Sequence, residues 1–218
     1  MSPYESSAWQ DTPPTAERVV AVMIRIASVM RADAWRSATA EGLTPTQADL
    51  LALLATRRPG ARLGWLAEQL SITSATTSDA VAALVAKGWV QKARAADDAR
   101  ALSLTLTRSG RALARRLAAP AGVVRSAAAA LPAHAQDRLL SDLLELVGEL
   151  QRSESFPELR TCITCQHFES NRHAGPEAPH HCHLVGAAMP ARLLRVDCPE
   201  HVAAGAATKA SRWQALRA

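Results

Sequence analysis

Four cysteines, Cys162, Cys165, Cys182 and Cys198, lie in one stretch near the end of the chain, and no other cysteine exists. Their spacing is C-x2-C-x16-C-x15-C, and Pro199 follows the last. Thiolates are soft donors, so four of them opened by a C-x-x-C pair read as one four-ligand metal site. Zinc sites usually close with two tight pairs or with Cys/His knuckles. Here only the first pair is tight, and the lone later thiols with a trailing proline suit an iron–sulfur cluster. Six of the seven histidines share the stretch: His167, His173, His180, His181, His183 and His201. Any of them could replace a thiolate in a zinc site of mixed cysteine and histidine ligands, and such loops are also commonly just solvated. The site is expected to hold a [4Fe–4S] cluster, with zinc or metal-free thiols as the alternatives.

A second set of residues could read a polyanion. Ser74, Thr76, Thr77 and Ser78 open a helical stretch with small hydroxyls that can bond phosphates or base edges without blocking entry to a groove. Arg94, Asp98 and Arg100 sit on a charged hairpin further on, and its arginines could reach a backbone or a minor groove. Ser/Thr runs before a helix also serve simply as caps. The order of elements around them gives these residues their meaning.

Those elements are mainly helical. Thr15 to about Thr39 carries Val19, Val20, Met23, Ile24, Ile26, Ala27 and Met30 at helical spacing. Thr44, Pro45 and Gln47 make a capping box with proline at the first position of a second helix. Arg58-Pro59-Gly60 turns the chain, Arg62–Leu70 forms a third helix, and Ala75–Lys87 a fourth. Trp89–Lys92 and Leu102–Leu106 pair as a ribbon. A helix from Thr107 to about Ala119 is interrupted by Pro120 and Gly122. The last long one, Ala135 to about Gln151, has an apolar face broad enough to be buried between subunits. Two short helices, a polar turn, a third helix and a ribbon make a winged helix-turn-helix, in which a helix enters the major groove.

The expected organisation is a disordered tail over 1–14 and a winged-helix and dimerisation domain over 15–152. A linker over 153–160, a small four-cysteine metal module over 161–202 and a tail over 203–218 follow. The chain is 218 residues long, 48% hydrophobic and formally +5 at pH 7, a balance compatible with a polyanion partner. The start lacks the sections of a signal peptide, and no apolar run approaches a membrane span. A cytoplasmic protein is expected, where clustered thiols bind metal more often than they form disulfides. No Gly-rich phosphate loop and no Ser/His/Asp set points to an enzyme.

Residues 43–113 resemble MarR-type regulators in "LTPTQADLLALL", "LAEQLSITSATTSDAVAALVAKGWV" and "DDARALSLTLTRSGRAL". The family's wing tip reads Asp-Arg-Arg, with the acid orienting an arginine. Asp98-Ala99-Arg100 keeps the acid and the second arginine and loses the first. The resemblance implies a homodimer built from the first and last helices, usually a repressor, on a double-stranded operator with half-sites one turn apart. The cysteine stretch, through "CITCQHF", "HHCHL" and "RVDC", resembles high-potential iron–sulfur proteins, which implies a cubane cluster on the four cysteines. Those proteins wrap the cluster in aromatics, and here only Phe168 and Trp213 are available, which suits a sensor of redox state, nitric oxide or iron better than an electron carrier. The other readings are a structural zinc with a small effector in the dimer cleft, and an electron-transfer protein.

Overall fold

The computed structural model describes residues 12–57, 60–94, 102–118, 122–152 and 156–215. Helix α1 (Thr15–Ala40) leads to α2 (Pro45–Ala55), α3 (Leu63–Leu70) and α4 (Ser74–Ala86). The ribbon β1 (Val90–Arg94) and β2 (Leu102–Leu106) follows, then α5 (Arg108–Ala118), α6 (Val123–Ala129) and α7 (Ala133–Arg152). The cysteine stretch holds β3 (Phe168–Glu169), β4 (His180–Cys182), β5 (Ala187–Met189) and a 3₁₀ turn at Ala191–Leu193, and α8 (Ala206–Ala215) comes last.

Local chemistry sets the boundaries. At the start of α2 the Gln47 N–H donates to Thr44 Oγ1 at 3.3 Å and the Thr44 N–H to Gln47 Oε1 at 3.2 Å, completing the expected capping box. Ser71 ends α3 in the left-handed region, φ +52°. α4 begins one residue earlier than the pattern suggests, because the Thr73 hydroxyl accepts the Thr76 N–H at 3.1 Å as its cap.

β1 and β2 pair antiparallel with Val90 opposite Leu106, and Ala61 adds a bridge to Leu104 at the ribbon's other edge. The Leu-Thr-x-x-Gly run at the exit has a mechanical explanation. Thr107 Oγ1 donates to the Gly88 carbonyl at 2.8 Å and accepts the Gly110 N–H at 3.0 Å. This seats Gly110 directly on the Trp89 carbonyl, where any Cβ would lie 1.9 Å from the oxygen.

Two apolar cores result. The first gathers Leu50, Leu51, Leu54, Leu66, Val81, Leu84, Leu104 and Leu113 from α2, α3, α4, β2 and α5. The second joins Leu144 of α7 to Ile163, Phe168, Met189, Leu194 and Trp213, with Cys162 and Cys165. The cysteine region is therefore not a free-standing module after a linker. It is built on α7, and α8, expected as a tail, is part of its core. This also revises the reading of α7, since Leu140, Leu144 and Val147 are covered by the chain's own cysteine region. Leu139 and Leu143 remain exposed, as do Val19, Val20, Met23, Ile24, Ile26 and Met30 along α1.

Gly148 marks the contact between α7 and α8. A Cβ there would lie 2.8 Å from Trp213 Cε3 and 3.1 Å from Cδ2. Gly148→Ala is expected to destabilise the second core by about 1–3 kcal/mol through overpacking. A calorimetric scan that leaves the melting of this region unchanged would show that α8 docks elsewhere.

Among the described residues, no helix is long and apolar enough to cross a membrane.

Candidate nucleic-acid interface and cysteine cavity

The N-terminal end of α4 presents Ser74, Thr76 and Ser78, all exposed. Thr76 Oγ1 lies 2.9 Å from Thr73 Oγ1, so the cap and the first turn share one hydroxyl pair. Thr77 is different. It is fully buried, and its hydroxyl donates to the Thr73 carbonyl at 2.9 Å. Expected as a readout residue, it is corrected to a core residue, because a side chain packed under the helix and bonded within its own turn cannot reach a base edge. Arg94 ends β1 and is exposed. Asp98 and Arg100, also expected in the interface, lie outside the described residues.

The four thiols come from three segments and surround one cavity of about 230 Å³. Cys162 and Cys165 sit on a turn in which the Cys165 N–H donates to the Cys162 carbonyl at 3.0 Å. Cys182 ends β4, opposite Phe168 of β3 and Ala187 of β5. Cys198 follows Asp197, whose φ of +55° turns the chain back. The other walls are mostly apolar, with Phe168, Leu184, Val185, Met189 and Leu193 among them. The Arg195 N–H donates to Cys162 Sγ at 3.3 Å, and the Cys162 N–H donates to the Arg195 carbonyl at 3.2 Å. Burial pushes the Cys162 thiol up, the Arg195 N–H opposes this, and the three other sulfurs add to the rise.

The donor set has the chemistry of a thiolate site, and all four cysteines are free thiols. The cavity is several times the ~30 Å³ that one water occupies in the liquid. Among the described residues no group of three or more His, Cys, Asp or Glu side chains is placed to hold a metal ion. Together the four thiols that line the cavity would offer a metal group soft sulfur donors.

The histidines divide. His167 lines the cavity. His201, the natural substitute for a fourth thiolate, has Nε2 2.9 Å from Thr164 Oγ1 and is not among the lining residues. His180 is buried against Phe168, its Nδ1 accepting the Asn171 N–H at 3.3 Å. His173 and His181 meet at 3.1 Å, and His183 Nε2 lies 2.9 Å from Glu169 Oε2. Phe168 lines the cavity, whereas Trp213 lies behind it in the core. Sequence reasoning missed Arg195 and Arg160, whose roles depend on backbone contacts with residues distant in the chain and leave no pattern in it.

Residues 41–101 match the MarR family model. The match covers α2, α3, α4 and the start of the ribbon and stops well before the cysteines. Among solved structures, a mutant MepR from a multidrug-resistant S. aureus clinical isolate is similar at TM-score 0.52 and 20% identity, over 61% of this chain and 96% of that one. A S. aureus MepR–DNA complex is similar at TM-score 0.50 and 20% identity, over 60% and 97%. A probable transcriptional regulator from Pseudomonas aeruginosa has 29% identity at TM-score 0.44, over 58% and 96%. The two MepR likenesses place a MarR-like fold on the winged-helix part of the chain. No curated protein matches it.

Proposed function

We propose that the chain is a dimeric DNA-binding transcription regulator of MarR type, not an enzyme. A repressor is the direction the resemblance implies. Its operator affinity would be set by a [4Fe–4S] cluster held by Cys162, Cys165, Cys182 and Cys198. The observation that carries the DNA reading is α4, whose capped end offers Ser74, Thr76 and Ser78 while Thr77, Val81 and Leu84 anchor its other face. A helix N-terminus with unpaired N–H groups and small hydroxyls suits phosphates and base edges. Dimerisation is supported by the long exposed apolar run of α1, too large to leave in water.

What supports the cluster is the four-thiol cavity, its apolar walls and the N–H aimed at Cys162 Sγ. Such a cluster contributes redox chemistry and sensitivity to oxidants, nitric oxide and iron supply. The protein contributes ligation, partial exclusion of water and a fixed N–H donor. Anaerobic purification with iron, sulfide and zinc analysis tests it. Brown protein with iron and sulfide in equal amounts is expected, and colourless protein carrying zinc would replace the reading with a structural metal. A second cavity, about 970 Å³ between α1, α2, α5 and α6, favours a small effector in that case.

The DNA contact is tested with a duplex that the chain itself selects from a random library. Replacing Ser74, Thr76 and Ser78 together with alanine is expected to cost about 1–3 kcal/mol per lost base contact. Binding to unselected DNA should change little. Unchanged affinity for the selected duplex would remove α4 from the interface.

A further inference from the structure

Arg160 stands where the two cores meet. It is 8% exposed, and a buried guanidinium must find acceptors for its donors. Nη1 donates to the Thr56 carbonyl at the C-terminal end of α2 at 2.7 Å. Nη2 reaches the Pro199 carbonyl at 3.4 Å. The Arg160 carbonyl accepts the Cys198 N–H at 3.1 Å. One residue thus grips the peptide on both sides of the fourth thiol and also the end of α2.

The connection continues beyond Thr56. The neighbouring Arg57 donates from Nε to the Gly60 carbonyl at 3.1 Å, and its guanidinium lies 4.5 Å over the Trp65 ring of α3. α3 in turn packs on α4. Asp197 and Pro199, which flank Cys198, reach the cavity that Thr56 and α1 line. Asp197 takes a left-handed backbone at the turn into Cys198, a conformation that Asp adopts more readily than most residues.

We propose that Arg160 is the positioning residue that carries the state of the cysteine site to the helix-turn-helix. The inference rests on the reading of the four thiols as one metal-cluster site. With Cys198 ligated, the 198–199 peptide is fixed, and Arg160 extends that restraint to the Thr56 carbonyl. With Cys198 released, Pro199 no longer holds its place, and the guanidinium loses one of its two carbonyls. The turn carrying Arg57, Gly60 and Trp65 then loosens, and with it the seat of α3 against α4.

The test is a cycle on the full chain: wild type, Cys198→Ser, Arg160→Met and the double variant. Amide hydrogen exchange is read at residues 53–57 and 60–66, and iron content is read in parallel. Cys198→Ser is expected to speed exchange there by about tenfold, within the usual range of coupling between sites. Arg160→Met should show raised exchange already, and adding Cys198→Ser should change it by less than about twofold. The same acceleration by Cys198→Ser in both backgrounds, or none in the wild-type background, overturns the role of Arg160. Where Arg160→Met does not fold, Arg160→Lys is read by the same criterion, since an ammonium cannot span both carbonyls. Iron-free wild type would dismiss the cluster reading by itself, while the exchange cycle still decides whether Arg160 links Cys198 to α2.

Discussion

Gly110→Ala is expected to cost about 3 kcal/mol or more of stability in the winged-helix core, at the upper end of what overpacking does. The reason is geometric. The new methyl would stand 1.9 Å from the Trp89 carbonyl oxygen and 2.8 Å from its carbon. Neither atom belongs to a flexible side chain that could swing aside. The backbone of Trp89 is held by the bond from the Thr107 N–H to its own carbonyl at 3.0 Å and by the bond from its N–H to the Leu84 carbonyl at 3.0 Å. Relief must therefore move α5 away from the ribbon, and Leu113 and Ala114 would leave the core with it. Denaturant titration of the full chain measures the loss. Because β1 and α4 hang on the same junction, affinity for the selected duplex should fall with it. A variant as stable as wild type would mean that α5 sits further from Trp89 than the contact requires.

Much of this half of the molecule is legible in the sequence because its signals are local. The Thr44–Gln47 box and the alternation of Leu102, Leu104 and Leu106 each lie within a few residues and name their own structure. Gly110 is equally local, since its spacing from Thr107 closes the bond that seats it. Thr77 shows the limit. Hydroxyl residues in a row look alike one by one, and it is their spacing from the apolar residues further along α4 that decides which of them faces water. Thr77 stands four and seven residues before Val81 and Leu84, on the face of α4 that packs into the core.

The cysteine half is legible in its donors and not in its frame. Four thiols at that spacing raise the expectation of a shared site whatever surrounds them, and the four line one cavity. The strands that carry them are two or three residues long, too short for any alternation to appear. The covering of α7 is hidden for another reason. A broad apolar face states that something buries it and not what does, and Leu144 faces Ile163 and Trp213 of the same chain. The linker reading fails at Arg160 on the same ground, because a buried guanidinium between two carbonyls 104 and 39 residues away leaves no trace in composition.

On the proposed cluster reading, Cys165→Ser is expected to empty the cysteine site and to split the thermal unfolding of the chain into two steps. Cys165 is buried and belongs to the second core, and its carbonyl accepts from Arg212 of α8 at 2.6 Å. Losing the cluster that Cys165 is proposed to help hold would remove binding free energy that a region of this size needs to stay folded. The first core shares none of its buried residues with the second, so α2 to α5 should keep their cooperative transition. The region from α7 to α8 should melt earlier. Iron content should fall below half of wild type, and affinity for the selected duplex should shift by about 5- to 150-fold, the usual span of a coupling free energy. The two readouts separate the claims. Full iron occupancy with a single unchanged transition would take Cys165 out of the ligand set. Lost iron, an early second transition and unchanged affinity would leave the cysteine site as a folding staple for α7 and α8, with no hold on the DNA.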